Sequence, residues 1–217
     1  MIQKILHYIW LGGEKTDLAN NCINSFRNFL RDYNIIEWNE SSIDCSQFSP
    51  SLLNLYENSY KNKKYAFCSD IARLYILKQY GGIYVDTDVE FVRSIPDAML
   101  KHNIIGRISP RNTVCNGCIW GCEENDDLVQ QMIDQFSNRA ESDSGLYGRK
   151  WIFNTLLAQH FKLAGDTLDN SRVIYLLKYC IFPTEYFCPM NGHTSEITIT
   201  PHTVSIHHFN LSWKRAN

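Results

Sequence analysis

The chain has 217 residues, 44% of them hydrophobic and 20% charged, enough for one domain with a sizeable core. Its 21 basic and 23 acidic residues leave a formal net charge of −2, so no broad basic surface points to nucleic acid or an anionic membrane. No window has the length and apolarity of a membrane span. The opening MIQKILHYIWLGG is interrupted by Lys4 and His7 and is too short for a secretory signal, which makes a cytoplasmic address the expectation.

In chain order, residues 2–11 read as a short buried strand stopped by Gly12 and Gly13. Asp17 is the expected cap of a helix whose apolar residues Leu18, Cys22, Phe26 and Phe29 recur at helical spacing. A second strand, NIIEW at 34–38, completes a right-handed parallel strand–helix–strand unit. The polar stretch 39–64 holds short helices around SLLNLY, and 65–80 is the clearest helix, closed by Gly81 and Gly82. Strands are expected at 83–89, 103–108 and 118–122, helices at 126–136 and 151–161, and short strands broken by Pro201 in the tail. The chain shows no repeat or linker, and the whole of 1–217 reads as one α/β domain with a mixed sheet.

The helix AFCSDIARLYIL, 66–77, has Asp70 and Arg73 as its only charged residues, and everything around them is apolar or small. Such residues are rarely buried unless paired, and at spacing i,i+3 these two share a face. An internal ion pair is one account. Desolvating two charges costs several kcal/mol per ion on a rough scale that attraction often only offsets, so a pair facing a polar ligand in a cleft is the other.

The stretch YGGIYVDTDVEF places Asp86 and Asp88 at the end of an apolar strand. Alternation puts Tyr84, Asp86 and Asp88 on one side and Ile83, Val85 and Val89 on the other. A strand buried on both faces has no room for two carboxylates in its middle. Its carboxyl end has, because ligands of open α/β sheets bind there. Two hard oxygen ligands suit Mg²⁺ or Mn²⁺ shared with substrate phosphates.

Three segments, IQKILHYIWLGG, KKYAFCSDIARLYILKQYGGIYVDTDVEF and HHFNLSW, closely resemble glycosyltransferase family 32, the DXD-containing sugar transferases, whose core is similar to that of the glucosylating clostridial toxins. The resemblance implies a GT-A-type fold with a mixed, mainly parallel sheet flanked by helices. It further implies a nucleotide-sugar donor, with a UDP-sugar foremost, a Mn²⁺ or Mg²⁺ cofactor, and transfer of a hexose with retention to a glycan or glycolipid acceptor. Surface or capsular polysaccharide synthesis at the inner membrane face, with peripheral association, is the implied setting.

Residue by residue, the resemblance places Ile9 and Trp10 on the donor, with Trp10 stacked on the base. Asp70 and Arg73 would contact the donor sugar, with Tyr84 alongside. Asp86 would position the ribose and the metal, and Asp88 would ligate the metal. Asn210 and Ser212 would complete the coordination, His208 stands where some relatives have an acidic ligand, and Trp213 would cover the diphosphate. Asn116 in CNG is similar to a donor-contacting asparagine. Asp70, Arg73, Asp86 and Asp88 are the catalytic set. Core packing is the alternative for Trp10, and a solvated or core pair is the alternative for His207 and His208.

Two other readings compete. A haloacid-dehalogenase-like phosphatase also ends a strand with D-x-D, but expects Thr or Val where this chain has Glu90 and opens near its N-terminus with the motif. A non-catalytic metal- or sugar-binding module could use Cys115, Cys118 and Cys122, spaced C-x2-C-x3-C. Structural zinc normally takes four ligands, and no second tight pair completes this set. Reduced core thiols are therefore expected here, as for Cys22, Cys45, Cys68, Cys180 and Cys188.

Overall fold

The computed structural model describes residues 1–108, 113–142, 153–161 and 170–210. The first unit forms as the sequence reading expects: strand β1 (Ile5–Ile9), helix α1 (Asp17–Phe29) and strand β2 (Asn34–Trp38), with β1 and β2 parallel. The cap of α1 is Thr16 rather than Asp17: the Thr16 hydroxyl accepts the Ala19 amide at 3.2 Å. Asp17 instead sits in the first turn, where its charge complements the helix dipole.

Helix α2 (Pro50–Lys61) leads into α3 (Tyr65–Tyr80). The latter ends at Gly81, whose φ of +58° is open to glycine and costly for other residues, and whose N–H closes the last turn on Leu77 O at 2.9 Å. The expected single strand at 83–89 is two short ones. Strand β3 (Gly82–Tyr84) joins the main sheet, and β4 (Val89–Phe91) joins a separate two-stranded sheet. Between them the backbone turns, with the Val89 amide on Asp86 O at 3.2 Å. Asp86 and Asp88 therefore lie in the turn, outside both strands.

Strands β5 (Asn103–Ile108) and β6 (Thr113–Cys122) are antiparallel, and β6 is longer than its expected core. Helix α4 (Asp127–Ser142) outruns its expected end, and Asp126 begins it by accepting the Leu128 and Val129 amides. Helix α5 spans Phe153–His160. Strands β7 (Ile174–Leu176) and β8 (Tyr179–Phe182) form a hairpin that the sequence reading did not identify, and helix α6 (Thr184–Phe187) follows. The last described strand, β9 (Ser205–His207), pairs antiparallel with β4.

The main sheet has the order β2-β1-β3-β6-β5-β8-β7. Its pairings set β2, β1, β3, β5 and β8 in one direction and β6 and β7 in the other, a mixed and mainly parallel sheet. Two apolar clusters cover its faces. One joins Leu74 and Leu77 of α3 to Trp120 and to Ile133 of α4, and the other joins Phe26 of α1 to Leu6, Ile83 and Phe91. Side chains of β3 alternate between them, Tyr84 into the first and Ile83 into the second. Among the described residues no helix is long and apolar enough to cross a membrane.

Candidate functional site

The carboxyl ends of the parallel strands β1 and β3 lie side by side, with His7 paired to Tyr84. The chain leaves the sheet there, and Asp86 and Asp88 occupy the turn. Helix α3 passes next to this point and presents Arg73, which is only 4% exposed. Its Nη2 lies 3.2 Å from Asp70 Oδ1 and 3.2 Å from Asp86 Oδ1, and the guanidinium sits 4.4 Å from the centre of the Tyr84 ring. The Tyr84 hydroxyl donates to Asp86 Oδ1 at 3.0 Å. Asp70, Arg73, Tyr84 and Asp86 are thus one connected group, as the spacing and the strand alternation predict.

The tail closes the site through β9. Pairing with β4 brings His207 Nε2 to 3.2 Å from Asp88 Oδ1, and the Asn210 amide donates to Asp88 Oδ2 at 2.8 Å. Asn210 therefore reaches Asp88 through its backbone. His208 departs from the expectation: its Nε2 is 2.8 Å from Glu90 Oε2. The reason is strand alternation. His207 is paired with Val89 and turns inward, so the next residue faces the Glu90 side. Asp86, Asp88 and His207 gather as possible metal ligands, each offering an atom within 4.8 Å of the others.

Trp10 follows β1 at the same edge of the sheet and is half-buried, its indole N–H donating to Gly13 O at 2.8 Å; Ile9 is buried behind it. Asn116, on β6, places its Nδ2 3.4 Å from Asp70 Oδ1. Its own backbone amide donates to Asn154 Oδ1 of α5 at 3.0 Å. Ser212 and Trp213 lie outside the described residues.

The electrostatics are sharply divided. Burial pushes the Asp70 carboxyl up to about 6, although Arg73 beside it opposes the change. Burial likewise raises Asp86, again against Arg73. At Asp88 burial also pushes upward, but the attraction of His207 and the hydrogen bonds from His207 and the Asn210 amide prevail and hold the group below the usual range. Burial pulls His207 down, and Asp88 outweighs it, keeping the imidazole charged in the absence of a cation. Two carboxylates, an imidazole and a neighbouring guanidinium form a site built for a cation with an anion beside it. The oxygen-rich donor set suits a hard divalent ion.

Sequence reasoning left His207 open between a core and a solvated role and did not single out Gly117 or Asn154. The strand-like run SIHH could have identified the inward histidine, since Ser205 and His207 share a face. Gly117 and Asn154 act through packing between distant segments, for which the sequence carries no local signal.

Set against known proteins, this architecture has the GT-A glycosyltransferase fold. Residues 16–106 match the family described as the glycosyltransferase sugar-binding region containing the DXD motif. The match assigns that stretch to the DXD class of glycosyltransferase and bears out the resemblance read from the sequence. An uncharacterized glycosyltransferase of Acanthamoeba polyphaga mimivirus is 33% identical over 106 residues, which are 45% of this chain and 39% of the viral protein. The chain thus matches about two-fifths of the length of this curated relative. The solved structure of the PaToxG glycosyltransferase is similar with a TM-score of 0.57 and 23% identity, covering 74% of this chain and 70% of that one.

Proposed function

We propose that the protein is a metal-dependent, retaining glycosyltransferase that moves a hexose from a nucleoside-diphosphate sugar, a UDP-sugar foremost, to an acceptor hydroxyl. The observation that carries this reading is the convergence of Asp86, Asp88 and His207 at the strand end, above the buried Arg73. A divalent cation bound there, Mn²⁺ or Mg²⁺, supplies Lewis-acid neutralisation of the charge that develops on the departing diphosphate.

The chain's own groups do the rest. Asp86, Asp88 and His207 would hold the cation, and the Asn210 amide fixes the Asp88 carboxylate. Arg73 keeps Asp70 and Asp86 in place and contributes fixed positive charge beside the leaving group. Asp70, with Asn116 against it, accepts hydrogen bonds from sugar hydroxyls. Trp10 would offer its ring to the nucleotide base, with the buried Ile9 beside it, and by the family resemblance Trp213 would cover the diphosphate. By the family resemblance Ser212 would help complete the coordination, while His208 pairs with Glu90. The acceptor attacks from the face the diphosphate leaves, and a phosphate oxygen takes its proton, so no side-chain base is assigned.

The acceptor we propose, on the strength of the family resemblance, is a glycan or glycolipid of surface or capsular polysaccharide. A lipid-linked acceptor would bring the protein to the inner membrane face as a peripheral enzyme. A panel of UDP- and GDP-sugars, assayed for hydrolysis with and without Mn²⁺, tests the reading. Turnover of one donor that needs the metal is expected. Tight metal binding with every donor left intact would count against a transferase.

A further inference from the structure

Strand β6 carries a bulge directly over the site. Ile105 of β5 pairs with Trp120, yet the next residue, Gly106, pairs with Cys115, so residues 116–119 have no partner on β5. Bulges of this kind re-aim a strand and are common next to active sites. Here the bulge brings Gly117 onto the aspartate turn, where its carbonyl accepts the Asp86 amide at 2.8 Å. A Cβ at position 117 would lie 1.9 Å from Asp86 Oδ2 and 2.7 Å from its Cγ. Gly81 combines a positive φ with a crowded Cβ position, whereas at Gly117 the restriction comes from space alone.

The two oxygens of Asp86 are therefore held from opposite sides. Arg73 and the Tyr84 hydroxyl take Oδ1, at 3.2 and 3.0 Å, while Oδ2 fills the space a side chain at 117 would need. The bulge is itself anchored, since Asn154 Oδ1 accepts the Asn116 amide at 3.0 Å. We infer that Gly117 is a positioning residue for Asp86: the bulge holds a bare Cα against the carboxylate, and that contact sets the direction in which Asp86 faces the cation. The contact is a property of the fold, and its consequence for the metal rests on the proposed function.

A double-mutant cycle on metal-free protein reads the contact without any activity. Gly117→Ala is expected to lower the urea midpoint of the wild type, and to lower that of Asp86→Ala by less than half as much, because the added methyl enters the space the carboxylate leaves. Equal losses in both backgrounds would overturn the inference. If Gly117→Ala alone does not fold, a folded Gly117→Ala/Asp86→Ala protein supports the inference and an unfolded one overturns it.

The second arm titrates Mn²⁺ by electron paramagnetic resonance in the presence of UDP. Gly117→Ala should weaken Mn²⁺ at least tenfold with far-UV circular dichroism unchanged, and an unchanged affinity would refute the positioning role. Should the wild type itself bind no Mn²⁺, the proposed function fails while the mutant cycle still decides for or against Gly117.

Discussion

Arg73 of α3 and Asp86 of the β3–β4 turn meet at 3.2 Å, and this pair ties the helix to the strand end on which the site is built. The guanidinium is almost wholly enclosed, and two carboxylates and an aromatic ring surround it. Removing it would leave Asp70 and Asp86 as half-buried like charges. Arg73→Met should therefore cost on the order of 3–5 kcal/mol of stability by urea unfolding, as breaking a buried pair does. Arg73→Lys should retain part of the stability but not the two-sided contact, and lose donor turnover. A stable, fully active Arg73→Met protein would remove this group from the account.

Asp88→Asn keeps the size of the side chain and removes its charge. Donor turnover should fall about 10²-fold or more, the order of loss seen when one preorganised electrostatic group is removed from an active site. The circular dichroism spectrum should stay as in the wild type, since the Asn210 amide still has a carbonyl oxygen to bond. Steady-state assays across a Mn²⁺ series check both.

The two adjacent histidines separate cleanly. His207 touches Asp88, whereas His208 touches a half-exposed Glu90. His207→Ala should weaken Mn²⁺ about 10-fold or more, because an imidazole ligand is lost. His208→Ala should change Mn²⁺ affinity little and stability by at most about 1 kcal/mol, the scale of an exposed ion pair. The reverse ranking in a metal titration would restore His208 as the ligand.

His7 lies in the core below the site, with its Nε2 3.0 Å from Gly81 O and its Nδ1 accepting the Trp38 indole N–H at 3.1 Å. Those partners define a neutral ring with the proton on Nε2. Burial, opposed by the Gly81 carbonyl, pulls its pKa down to about 4. The unfolded chain then binds the proton first, so the contribution of His7 to stability is complete above about 6.5 and declines as pH falls toward about 4. The stability advantage of wild type over His7→Gln should shrink by up to about 3 kcal/mol across that window. A difference independent of pH, measured by urea unfolding, would contradict the burial of a neutral ring.

Much of this was legible because local patterns carry it. The Asp70–Arg73 spacing on an otherwise apolar helix, the Gly81 stop and the alternation that sets Tyr84 beside Asp86 are all short-range signals, and these side chains meet as the patterns suggest. The break between β3 and β4 was not legible, because it depends on the Gly117 carbonyl capturing the Asp86 amide across the sheet. The run SIHH places Ser205 and His207 on one face, but that this face turns toward Asp88 follows from the register of β4 on β9, which joins residues more than 100 positions apart. The β7–β8 hairpin escaped because VIYLLKYCIF is apolar but for Lys178 and has no Gly, Pro, Asn or Asp to mark its turn.

The central claim is that Asp86, Asp88 and His207 hold a divalent cation against the diphosphate of a nucleotide sugar. Anomalous scattering from crystals grown with Mn²⁺ and UDP tests it most directly. The account predicts one strong manganese peak within bonding distance of Asp88 and the UDP phosphates, with His207 and Asp86 beside it. Ordered UDP with no manganese near these residues, or manganese bound elsewhere, would contradict it.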